Sequence, residues 1–383
     1  MTPQEVQSKT IAWLRFPMII GVLLIHSYNP IHPKGDVFVF VRNLSSEVVA
    51  RFCVPLFFLI AGYLFFYKLK QFTGATYREK LRKRASSLLV PYLFWNLWAI
   101  ITYVVLQEVF ELRTLAYGPV DRVETWQIAD YLRCFWDIRA PHYPLVYPLW
   151  FVRDLMVTVL LTPLVYAGIK RLPHLFIAAL FVAWIGGFSF RVTGLNTGAI
   201  FFFSIGALLS IQGRNMVTEC RKIQRFSWVA YPAIALADTL CKGTVATTYL
   251  HPAGLLLGIV FTFNITSWLI EKEKIRPRHF LASGSFFVYA AHEQMLSQIR
   301  KTLVTFVPDT SETASFILYL VPLLLTVGIT LALYYCNNVS CLRSVALRWV
   351  KETDPHKARS LIGLKTLPMN GLRNNTPPKK ESL

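Results

Sequence analysis

Apolar runs of about 20 residues recur along the 383-residue chain, each of the length that crosses roughly 30 Å of hydrocarbon. They fall near residues 11–30, 48–67, 86–107, 147–168, 174–191, 198–212, 226–241, 250–270, 281–300 and 314–336, the sixth and seventh being short and weak. The pattern predicts an all-α fold, a polytopic integral membrane bundle of about ten transmembrane helices. No small-residue cleavage site follows the first run, so it reads as a retained span. The sequence after Cys341 turns polar and basic and ends NNTPPKKESL, a composition that favours disorder. The expected organisation is a membrane domain over 1–341 and a basic tail over 342–383.

Composition agrees: 54% of residues are hydrophobic and the mean hydropathy is +0.43, too apolar throughout for a soluble domain. The formal net charge of +19 resembles a nucleic-acid signal until its distribution is considered. Lysine and arginine concentrate in alternate loops, most clearly in KLKQFTGATYREKLRKR at 68–84, and the opposite loops are poorer in them. That is the positive-inside asymmetry. It places both termini in the cytoplasm and makes the bilayer, not nucleic acid, the partner behind the charge. Six scattered cysteines form no CxxC pair, so no structural metal is expected. Cys134 and Cys241 fall near the outer face, where a disulfide is conceivable. No phosphate-binding glycine motif occurs.

Ionisable residues inside apolar spans carry the functional signal, because each is costly there. RFPMIIGVLLIH, residues 15–26, opens on Arg15 and closes on His26. Eleven residues are close to three helical turns, so both side chains share one helix face about 16 Å apart along the axis. Arg15 is either an interfacial anchor or part of a site, and His26 either an interhelical hydrogen-bonding group or a reactive one. YPLWFVRDLMV, residues 147–157, brings Arg153 and Asp154 into the outer half of its span, and ASGSFFVYAAHEQML, residues 282–296, brings Tyr289 and His292 to a similar depth, as does the seventh run with Asp238. A shared depth suggests an outer polar chamber. At the opposite end LRKRASSLLVPY, residues 81–92, sets Arg82, Lys83 and Arg84 at the mouth of the third span. Guanidinium groups there, level with Arg15, suggest a phosphate site.

These motifs resemble those of the membrane-bound acyltransferase family 3, the bacterial acyl-CoA-dependent O-acyltransferases. The resemblance rests on the Arg15/His26 spacing, VPLFFLIAGYLF (54–65), KRASSLLVPY (83–92), PLWFVRDL (148–155), FFFSIGALLS (201–210) and SFFVYAAH (285–292), in the family's order. Two departures stand out: Ala61 where the family usually has serine, and Ser87 where it often has a second arginine, with Arg82 or Lys83 as candidate substitutes. The resemblance implies an O-acetyltransferase-like enzyme of the bacterial inner membrane. It would take an acyl group, commonly acetyl, from cytoplasmic acyl-CoA and pass it to a hydroxyl of a sugar, glycan or glycolipid at the outer face. Acyl-CoA would be a co-substrate, not a resident cofactor.

On this reading Arg15, Arg84, Arg82 and Lys83 bind coenzyme A, and His26 is the general base or accepts the acyl group itself. Asp154 either orients the imidazole or pairs with Arg153. Arg153, Tyr289 and His292 face the acceptor or hydrogen-bond between helices, and Trp150 is a sugar platform or an interfacial aromatic. The competing class is a secondary transporter or flippase for a polar lipid or sugar, which would more often show repeated halves and broken helices in matching positions.

Overall fold

The computed structural model describes residues 1–27, 34–69, 71–110, 122–308 and 310–339. The tail over 342–383 lies outside the described residues. The described residues form helices joined by loops, without a strand. In chain order the helices are α1 (Pro3–Ser27), α2 (Asp36–Phe66), α3 (Gly74–Val109), α4 (Ile128–Arg133), α5 (Tyr147–Leu160), α6 (Thr162–Arg171), α7 (Pro173–Ile185), α8 (Thr197–Ile211), α9 (Met216–Arg221), α10 (Gln224–Leu240), α11 (Thr247–Glu271), α12 (His279–Phe306) and α13 (Glu312–Val339). They divide into a unit over Met1–Leu331 and a second over Ala332–Leu383.

Every predicted apolar run holds a helix. Five helices (α1, α2, α3, α11 and α13) are long and apolar enough to cross a membrane, and the bent pair α5–α6 makes six. α7 and α8 are apolar but short. α12 is long, with 28 residues, yet its hydropathy is diluted by polar groups such as Ser285 and His292, both buried in the bundle. Polar residues that face other helices lower a hydropathy average without touching lipid.

The predicted run 147–168 is a pair of helices, α5 and α6, that meet at a 57° bend, as in a broken span or a re-entrant loop. Pro163 follows the break and has no N–H to return to Val159, and the Thr162 hydroxyl donates to that carbonyl instead, at 2.8 Å. The segment before α5 is built on α3: the Asn96 side chain accepts from the Val146 amide at 3.2 Å, and the Tyr92 hydroxyl donates to the Phe135 carbonyl. Arg153 reaches back from α5 to the carbonyls of Trp136 and His142, at 2.6 and 2.8 Å. Three side chains, through four hydrogen bonds, therefore fix residues 134–147 ahead of α5. Cys134 and Cys241 are both free thiols.

α2 and α8 pack with their backbones almost in contact. A Cβ on Gly62 would stand 2.0 Å from the Phe203 carbonyl oxygen, and one on Gly206 would stand 1.9 Å from that of Leu59. Only glycine permits such an approach, which is how membrane helices gain packing where lipid supplies no hydrophobic drive. Both glycines belong to the motifs read in the sequence. At the α1 entrance Gln7 donates to the Tyr63 hydroxyl at 3.0 Å and accepts from the Met216 amide at 2.6 Å, tying α1 to α2 and α9.

Gly206→Ala is expected to destabilise the detergent-solubilised protein by about 1–3 kcal/mol, the usual cost of overpacking. Gly254→Ala, whose new Cβ would meet nothing nearer than Ile234 at 3.6 Å, should leave the melting temperature unchanged. Equal thermal shifts for the two variants would refute the close-packing account.

Candidate active site

One face of α1 lines a cavity of about 660 Å³, through Arg15, Met18, Ile19, Val22, Ile25 and His26. The spacing is that of a single helical stripe. Arg15 and His26 therefore look into the same space, as their separation in the sequence predicts. α2 contributes Arg51, Val54, Phe57 and Ala61, α3 contributes Arg84 and Leu88, and α12 contributes Ser283, Ser285 and Tyr289. Tyr143, Tyr147, Trp150 and Phe151 complete the wall.

The two ends differ. Arg15 and Arg84 make no ion pair with any described residue. Two uncompensated guanidinium groups in one cavity make an anion site, suited to phosphate oxygens. Arg82 and Lys83 do not reach it. Both are exposed, and Lys83 pairs instead with Glu79 at 2.5 Å. The helical step explains this: Arg84 and Leu88 are four apart and share a face, whereas positions 82 and 83 point elsewhere. Ser87 is exposed as well, and the further cation on the cavity wall is Arg51.

The other end is built around His26. Its Nδ1 is hydrogen-bonded to the Tyr147 hydroxyl, which fixes the ring and leaves Nε2 as the nitrogen free for chemistry. The His292 ring lies against it, centroids 5.2 Å apart. His292 is fully buried, its Nδ1–H donates to the Tyr289 carbonyl, and its Nε2 has no partner. The Tyr289 hydroxyl donates to the Pro148 carbonyl, pinning the start of α5 to α12. Arg51, paired with Glu47 at 2.7 Å, lines the same cavity as His26.

Asp154 lies elsewhere. Its carboxylate accepts from Arg153 Nε and Nη2 at 3.0 and 2.9 Å, and it lines a second cavity of about 540 Å³ with Arg153, Trp150 and Tyr143. The orienting partner of His26 is Tyr147 rather than Asp154. Arg153 spends all three nitrogens on protein acceptors, so its role is to position the 134–147 segment. Trp150 lines both cavities. Asp238 reaches neither: it is fully buried and pairs with His251 of α11 at 2.9 Å. Equal depth thus marked side chains that face different neighbours.

Tyr147 and Arg51 were missed in the sequence. Tyr147 opens a motif in which the Arg-Asp pair drew attention, and Arg51, at the edge of an apolar run, reads as an interfacial cation. Only the fold reveals that each meets α1.

Residues 9–335 match the acyltransferase domain family. The chain belongs to the acyltransferase 3 family. The assignment favours the enzyme over the transporter and makes this a membrane acyltransferase. It is also similar to the succinoglycan biosynthesis protein ExoH of Rhizobium meliloti (strain 1021), with 26% identity over 305 residues covering 76% of this chain and 78% of the relative. No solved structure matches it.

For this acyltransferase Tyr147→Phe removes the ring's anchor and leaves the guanidinium end intact. The turnover for acyl transfer is expected to fall about tenfold or more, with the affinity for the anionic donor unchanged. Weakened donor binding at constant turnover would show that Tyr147 shapes the cavity without orienting His26.

Proposed function

We propose that the enzyme moves an acyl group, acetyl by preference, from acyl-CoA to a hydroxyl of a glycan or glycolipid, across the bacterial inner membrane. The observation that carries the reading is the single cavity with two unpaired guanidinium groups at one end and an anchored imidazole at the other. Ten crossings, with both termini cytoplasmic, put the Arg15 end inside and the His26 end in the outer half. The phosphates of coenzyme A then rest on Arg15 and Arg84, and the thin pantetheine arm follows the α1 face to bring the thioester to His26, about 16 Å higher. A carbohydrate acceptor suits a chain whose relative is named for succinoglycan biosynthesis.

The chemistry balances as base-assisted acyl transfer. His26 Nε2 removes the acceptor hydroxyl proton as the oxygen attacks the thioester carbonyl. The attack gives a tetrahedral oxyanion in the cavity that Arg51 also lines. Collapse breaks the carbon–sulfur bond, and the proton on His26 passes to the departing thiolate. Asp154 acts through Arg153, which holds the segment before α5; His292 packs the imidazole and Tyr289 holds the start of α5.

His26→Ala is expected to lower single-turnover transfer by about 10²–10⁴-fold while acyl-CoA still binds, and His26→Gln should fail equally, because an amide takes no proton at neutral pH. Folded His26→Ala protein that transfers at the wild-type rate would rule out the base. Arg15→Ala and Arg84→Ala should weaken coenzyme A binding by about 1.5–3 kcal/mol each, the range for charge-assisted hydrogen bonds, measured by titration calorimetry. Unchanged affinity in both would remove the phosphate site.

The orientation has its own test. Single cysteines at Lys34 and Lys274, in a background without native cysteines, are expected to react with an impermeant maleimide from outside and inside respectively. Outside labelling of the Lys274 site would invert the scheme.

A further inference from the structure

The second cavity, about 540 Å³, opens beside the His26 end and shares Tyr143 and Trp150 with the first. Its far wall is the segment between α7 and α8, and that wall is well constructed. The Phe188 amide donates to the Ala183 carbonyl at 2.9 Å, and the Thr197 hydroxyl donates to the Phe188 carbonyl at 2.6 Å. Gly194, at φ +94°, lies so close to Val157 that a Cβ would stand 3.0 Å from it. Asn196 caps α8 through the Ala199 amide at 3.0 Å.

The polar groups facing this space divide into committed and open ones. Arg153 and Asp154 neutralise each other at 2.9 Å. The Ser189 and Thr193 hydroxyls and the exposed Arg191 guanidinium have no hydrogen bond or ion pair to a described residue. The cavity thus offers the aromatic faces of Tyr143, Trp150 and Phe190, the His142 imidazole, the Ser189 and Thr193 hydroxyls and the Arg191 cation. Aromatic faces with a few convergent polar groups suit a sugar ring, and a free guanidinium suits a carboxylate or phosphate on it.

We propose that this cavity is the acceptor subsite and that it takes an acidic sugar, with Arg191 holding the anionic group while Tyr143 and Trp150 direct a hydroxyl toward His26. The proposal rests on the first cavity being the donor site. Arg191 is exposed and hydrated in the free enzyme; an acidic sugar exchanges that water for a charge-assisted hydrogen bond, which a neutral glycan cannot make, and this difference makes the position a specificity determinant.

The test uses purified full-length enzyme and three oligosaccharides of one backbone: neutral, terminated by glucuronic acid, and terminated by glucose 6-phosphate. Binding is measured by titration calorimetry. At least one acidic oligosaccharide is expected to bind about tenfold more tightly than the neutral one, and the two acidic arms show whether carboxylate or phosphate is preferred. Arg191→Ala should erase the preference, and Arg191→Lys should keep part of it. Equal affinity for all three, binding of none, or a preference that survives Arg191→Ala would overturn the proposal. Coenzyme A titrated into the same samples reports on the first cavity separately. Failure of coenzyme A to bind would remove the donor reading, whereas failure of the acidic preference alone would remove this one.

Discussion

An imidazole inside a membrane bundle must be held by something, and here it is held by one hydroxyl. The Tyr147–His26 hydrogen bond joins α5 to α1 across 121 residues of sequence, and the surrounding architecture converges on it. Asn96, Tyr92 and Arg153 fix the segment that delivers Tyr147. Tyr289 pins the next residue, Pro148, and His292 backs the ring from the opposite side. Loss of any of these supports would free the imidazole to rotate, and in the proposed transfer a rotating ring would be in position only part of the time.

The stripe on α1 depends on a second constraint. Arg15 and His26 share a cavity only because α1 stays helical between them, in spite of Pro17. The first turn is locked by Gln7, and the close approach of α2 and α8 at Gly62 and Gly206 sets α2, and with it Arg51 and Ala61, on the facing wall. Backbone packing in one half of the bundle thus determines which side chains the cavity presents in the other.

Much of this was legible in the sequence for a simple reason: helical periodicity is local. Eleven residues determine that Arg15 and His26 face the same way, and apolar runs determine where helices form. The partnerships were not legible, because they join distant segments. Asp238 shares a depth with His26 yet turns to His251, and Asp154 turns to the neighbouring Arg153. Arg82 and Lys83 lie next to Arg84 in the chain but a helical step away in space. The short helix α4 and the break at Leu161 depend on the fixed segment before α5 and on Pro163, neither of which leaves an apolar signature.

Tyr143 and Trp150 line both cavities, and that shared wall has an electrical consequence. A passage open to two aqueous compartments would conduct protons and dissipate the potential on which the cell depends. The Tyr143 and Trp150 rings stand where the cavities adjoin, and the unpaired cations of Arg15 and Arg84 repel any positive ion in the larger one. In the proposed transfer, the same wall that would bring donor and acceptor together would also keep the bilayer insulating, so that group transfer proceeds without becoming a leak.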